Sequence, residues 1–175
     1  MIYIIIIIIL GLIIYSIWKT PITPLSKWQH SFSFFKISTQ EFYQKVEEEI
    51  KKHEIPGISI ARVTHYQTGL ISAKREYLRI SRDEYIFDIC AAPFGTDFFV
   101  SWWLGESDRS VIGRIPILNT ILGKNSKKKT FFQMDTEAMF KGSVRLSVMD
   151  AIDQITTAKG LRALTEQERM PTNAK

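Results

Sequence analysis

The first eighteen residues, MIYIIIIIILGLIIYSIW from Met1 to Trp18, carry no charged side chain, and no other stretch constrains this chain as strongly. A helix of that length is about 27 Å long, close to the hydrocarbon thickness of a bilayer. A secretory leader would place a basic patch before the apolar core and small residues after it, whereas here the core is followed by Tyr15, Trp18 and Lys19. A buried strand would suit the isoleucine run from Ile4 to Ile9 in water. In lipid the backbone must satisfy itself, which favours a helix. The expectation is a transmembrane helix over residues 1–19. The first charges beyond it, Lys19, Lys27 and Lys36, precede any acid, so the positive-inside rule puts the N-terminus outside and the rest in the cytoplasm of a single-pass inner-membrane protein. At 100° per residue Tyr3, Ile7, Gly11, Ile14 and Trp18 share one stripe, a candidate helix-contact or pore-lining surface.

The remainder is long enough for one domain with a core. It carries the net charge of +5, which suits anionic lipid and nucleic acid equally. The single cysteine, Cys90, rules out an internal disulfide, and its neighbours Ile89, Ala91 and Ala92 mark it as a small buried residue.

Pro21 and Pro24 predict that residues 20–37 form an extended linker and juxtamembrane segment, with Trp28, Phe32, Phe34 and Phe35 capping the core or lying at the interface. A cytoplasmic α+β domain is expected over 38–160, with a polar tail, ordered in part, over 161–175. Ser38 and Glu41 form a capping box ahead of Phe42, Tyr43, Val46 and Ile50, predicting a helix that stops near Pro56-Gly57. An antiparallel β-meander follows, with strands near 58–66, 74–81, 84–91 and 97–104. Alternation puts Asp88 and Cys90 on one face, where Asp88 needs a cation such as Arg79 or Arg75. A short helix is expected around 115–122, a strand over Phe131 to Met134, and a long helix from an Asp135 cap to Lys159.

Catalytic patterns are sparse. His30, His53 and His65 have no second ligand at metal-binding spacing, and no HExxH, CxxC, GxSxG or phosphate-loop motif occurs, so neither metal nor cofactor is expected. Arg62 and His65 are the only catalytic candidates, but residues three apart on a strand face opposite ways. Lys124, Lys127, Lys128 and Lys129 form a basic patch that reads as a solvated loop or as a contact to anionic lipid or RNA. Trp102 and Trp103, adjacent on a strand, must also face opposite ways, one to the core and one to a surface that a neighbouring subunit would cover.

The isoleucine-rich N-terminus, the helix STQEFYQKVEEEIKKHEIPG and the run REYLRISRDEYIFDICAAPFGTDFFVSWWLGE resemble the small membrane-anchored accessory proteins encoded beside the RNA-targeting effector nuclease in class 2, type VI-B CRISPR loci. The resemblance spans essentially the whole chain. It implies a homo-oligomeric ring with a membrane pore that depolarises the cell and strengthens antiphage defence once the effector has recognised phage RNA. That family has also been described as bearing a divergent ribonuclease motif, Arg followed four to six residues later by His. Arg62-x-x-His65 is shorter, which leaves a membrane-tethered ribonuclease or nucleic-acid-binding protein, and a passive anchor for a cytoplasmic partner, as alternatives.

Overall fold

The computed structural model describes Gly11 and residues 22–66, 74–107 and 129–174. Six antiparallel strands form one sheet in the order β2-β3-β4-β5-β1-β6. They are β1 (Ile22–Phe32), β2 (Ser59–Tyr66), β3 (Lys74–Arg82), β4 (Tyr85–Phe94), β5 (Asp97–Ser107) and β6 (Thr172–Asn173), and the helices are α1 (Thr39–Lys52) and α2 (Phe131–Ala158). The strands from β2 to β5 follow the period-2 alternation of the sequence: Leu78, Ile80, Phe87, Ile89, Phe98, Val100, Trp102 and Leu104 all turn to one side and are buried.

Both helices cover that side. The Ser38 hydroxyl accepts from the Glu41 amide and starts α1, which buries Phe42, Tyr43, Val46 and Ile50. Tyr43 fastens the helix to the sheet, donating to the Glu76 carbonyl at 2.9 Å and accepting from the Ala91 amide at 3.1 Å. Helix α2 lays Phe140, Val144, Val148 and Ile152 into the same core, Phe140 meeting Phe87 edge-on at 6.0 Å between centroids. Each such side chain removed from water contributes about 1.5–3 kcal/mol.

Several expectations need correction. No helix among the described residues is long and apolar enough to cross a membrane. The longest, α2, contains Asp135, Glu137, Lys141, Arg145, Asp150 and Asp153, charges that hydrocarbon does not accept. The expected fold, a membrane-spanning helix ahead of a meander with flanking helices, is therefore replaced by a six-stranded sheet with two helices on one face. The inner-membrane, single-pass placement that depended on it is withdrawn on the same finding. Residues 1–10 and 12–21, which carry the predicted span, lie outside the described residues, as does the predicted helix at 115–122.

The segment read as linker is β1, an interior strand paired with β5 on one side and β6 on the other. Pro24 is accommodated because the register slips between Pro24 and Ser26, a bulge where a ladder donor is dispensable. Opposite it, a side chain on Gly105 would collide with Ile22, so only glycine lets the two strands approach here. Phe131 to Met134 are the first turn of α2, not a strand: Thr130, rather than Asp135, is the cap, in a reciprocal box with Gln133. The polar tail is also built in. It buries Leu164, pairs through β6, and holds the indole N–H of Trp28 on the Glu168 carbonyl at 2.6 Å.

Candidate functional site

With one face of the sheet closed by helices, the chemistry-bearing side chains gather on the other. One register row crosses it: Arg79 on β3 lies opposite Asp88 on β4, Asp88 opposite Trp103 on β5, and Trp103 opposite Lys27 on β1. Arg79 grips Asp88 with two parallel bonds, Nε to Oδ1 at 2.7 Å and Nη2 to Oδ2 at 2.6 Å. This is the cation partner that the strand pattern required. His65 from β2 adds a third member, its Nε2 3.0 Å from the same Oδ2, while its ring stands edge-on to Tyr77 at 4.9 Å. Asp88 is buried, whereas the His65 side chain is about half exposed, at 47%. The carboxylate, although on the outer face, is thus covered by its partners, while His65 stays open to solvent. Hydrogen bonding by Asp88, against some burial, raises the already high pKa of Arg79.

Cys90, two residues along β4, lies within reach of Arg75, Tyr77 and Ser101, and burial raises its thiol above the ordinary value. That is the opposite of what a reactive thiolate needs. Trp102 is buried in the core and Trp103 is 40% exposed on the outer face, with the Lys27 ammonium 5.4 Å from its ring centroid.

Arg62 and His65 do not meet. Arg62 points to the helix side, 4.4 Å from the Tyr43 ring centroid and 2.6 Å from Glu47, while His65 is on the outer face with Asp88. The guanidinium that reaches the His65 ring nitrogen is that of Arg79, Nη2 to Nε2 at 3.4 Å. The other histidines are structural in surroundings: His53 caps α1 3.8 Å from Asp150, and His30 stacks on Trp28 and meets Phe32 edge-on, burial lowering its pKa.

Of the basic patch, Lys124, Lys127 and Lys128 lie outside the described residues. Lys129 is drawn inward, 3.0 Å from Glu137 and 3.5 Å from Glu106, over the Tyr85 ring. Tyr85 and Glu137 also line a cleft of about 360 Å³, together with Arg82, Glu84, Phe132 and Phe140. Of the N-terminal stripe, Tyr3, Ile7, Ile14 and Trp18 lie outside the described residues, and Gly11 is helical and exposed. Among the described residues no trio of His, Cys, Asp or Glu could hold a metal ion.

A second surface was not anticipated. Phe132, Met139 and Leu146 on α2 are 78%, 63% and 56% exposed. Their seven-residue spacing puts them on one stripe, on the side of the helix away from Phe140, Val144 and Val148. Phe131 and Met134 extend the exposed apolar surface at the helix start. The sequence held the signal, since α2 has apolar residues on two sides and one sheet can cover only one of them. No family model, curated protein or solved structure matches the chain.

Proposed function

We propose that this chain is a self-assembling accessory subunit, a homo-oligomer serving RNA-targeting antiphage defence in the role its resemblance to type VI-B accessory proteins implies. What supports assembly is the apolar stripe on α2. Three large side chains repeating every seven residues on a solvent face form a seam of the kind that packs against another helix. The seam is symmetric about Met139: in an antiparallel pair Phe132 would face Leu146 of a second copy and Met139 would face its own counterpart. Such self-complementarity is what a two-fold interface requires. Gly142, beside the seam with nothing within 4 Å of an added Cβ, lets two backbones come close.

Pore formation is not carried forward, because it needs a membrane-crossing segment and no described helix is one. The ribonuclease alternative built on Arg62 and His65 loses its geometry, the two side chains lying on opposite faces.

The test is the mass of the purified full chain, by light scattering, beside Met139→Glu and Leu146→Glu. Both positions are exposed, so the variants keep their thermal stability, and the assembly falls to a smaller species. An unchanged mass distribution in both refutes the seam.

A further inference from the structure

We infer that the outer face of the sheet binds single-stranded nucleic acid, bases stacking on Trp103 and phosphates meeting Lys27, Arg75 and Arg79. Three observations converge on that ligand. The first is composition: the strand interiors of this face carry Lys27, Arg75 and Arg79 as cations and Asp88 as their one acid, Asp97 lying at the turn where β5 begins. The second is what Asp88 does with its charge. It is 8% exposed and turned onto Arg79 and His65, so it aims the guanidinium without presenting an anion to the ligand. The third is the aromatic content, with Trp103 exposed in the middle of the sheet, Tyr77 two strands away on β3 and the His65 ring packed against it from β2, one strand further.

The dimensions agree. The row from Arg79 through Asp88 and Trp103 to Lys27 crosses four strands, about 14 Å at the usual strand spacing, and Arg75 lies about 14 Å along β3 from Arg79. A path of that length takes a few nucleotides, the scale on which single strands are held by sheet surfaces that alternate cations with stacking platforms. A duplex keeps its bases inside the helix and offers Trp103 nothing to stack on. The surface is on the other side of the sheet from the α2 seam, so this inference does not depend on the assembly reading.

The experiment is fluorescence anisotropy of the purified full chain with a labelled oligouridylate of roughly twelve nucleotides and a duplex of equal length. The expected result is binding that prefers the single strand and weakens as salt rises. Trp103→Ala weakens it about tenfold, Trp103→Phe restores most of it, and the Lys27→Gln, Arg75→Gln pair lowers the salt slope by about 1.4. Circular dichroism checks the fold of each variant, and if Trp103→Ala does not fold, the Lys27→Gln, Arg75→Gln pair carries the test. The inference is overturned if the full chain binds no oligonucleotide at about 50 mM salt, or if the outer-face variants bind as the parent does. It is equally overturned if Trp103→Ala changes the oligomeric mass and leaves oligonucleotide binding untouched, which would make this face a protein interface.

Discussion

The docking of the C-terminal tail rests on two separable fastenings, and their coupling can be computed and measured. Trp28 is 3% exposed and donates its indole N–H to the Glu168 carbonyl at 2.6 Å. Trp28→Phe removes that bond, worth about 1 kcal/mol net, and about 40 Å² of buried apolar surface, worth about 1 kcal/mol more. The expected loss is about 2 kcal/mol. Arg169 grips Asp153 with two 2.7 Å bonds and donates from Nε to the Leu164 carbonyl at 3.1 Å. With Arg169 19% and Asp153 32% exposed, solvent screens the pair, and Arg169→Ala should cost about 1.5 kcal/mol. Both fastenings hold the same segment, from Leu164 to Arg169, so releasing one leaves the other with less to secure. The double variant should therefore lose about 2.5 kcal/mol rather than the sum, a coupling of about 1 kcal/mol. In urea, Trp28→Phe alone should lower the midpoint by about 1 M for a slope near 2 kcal/mol/M. Amide exchange at Arg169 and Met170 should quicken in either single variant. Strict additivity, or a Trp28→Phe loss below about 0.5 kcal/mol, would refute a tail held as one unit.

Three further expectations concern charge and packing. Burial opposes the ionised form of Glu137, but hydrogen bonds from Lys141, Tyr85 and Lys129 overcome it and hold its pKa at about 2 against 4.5. Its contribution is thus fully present above about pH 4.5 and drains away as pH falls toward 2. With solvent screening at Lys129 and Lys141 it amounts to about 1–2 kcal/mol, and Glu137→Gln should flatten the acid limb of a stability–pH curve over that window. Asp88→Ala strands a half-buried guanidinium and should cost about 2–3 kcal/mol in chemical denaturation, and a cost near zero would mean Arg79 swings free to water. Trp102→Ala should lose about 3–5 kcal/mol of stability whereas Trp103→Ala loses under about 1, and equal losses would contradict the opposed faces of β5.

What could be read in advance was what local chemistry decides. The period-2 alternation from Ser59 to Ser107 located β2 to β5 to within a few residues, and the Ser38–Glu41 box located the start of α1. Strand β1 was hidden by Pro24, although Trp28, His30 and Phe32 alternate with Lys27, Gln29 and Ser31 just beyond it. A bulge at Leu25 moves the proline out of the regular ladder, and bulges leave no sequence trace of their own. The Thr130–Gln133 box was as legible as the first, but the adjacent Phe131 and Phe132 read as strand. The tail's partners, Trp28 and Asp153, are distant in sequence and could not be inferred from its polar composition. At the site, Arg79 and Asp88 were legible because they face each other on neighbouring strands. The approach of His65 was not, since it comes from two strands away and past Tyr77.

The same layering bears on how the two proposed surfaces work together. Because the core of α2 faces the sheet, its exposed stripe must face away from it, and a second copy seated on that stripe would leave the outer face uncovered. Assembly and ligand binding then compete for no residue. A two-fold pair would place two cationic faces at opposite ends of one particle, and a strand long enough to reach both would bind with avidity beyond that of either alone. Met139→Glu should therefore leave the affinity for a short oligonucleotide unchanged and weaken that for a long one. If the short one were weakened as much, the seam and the outer face would be coupled within a single subunit, and their division between the two sides of the sheet would be mistaken.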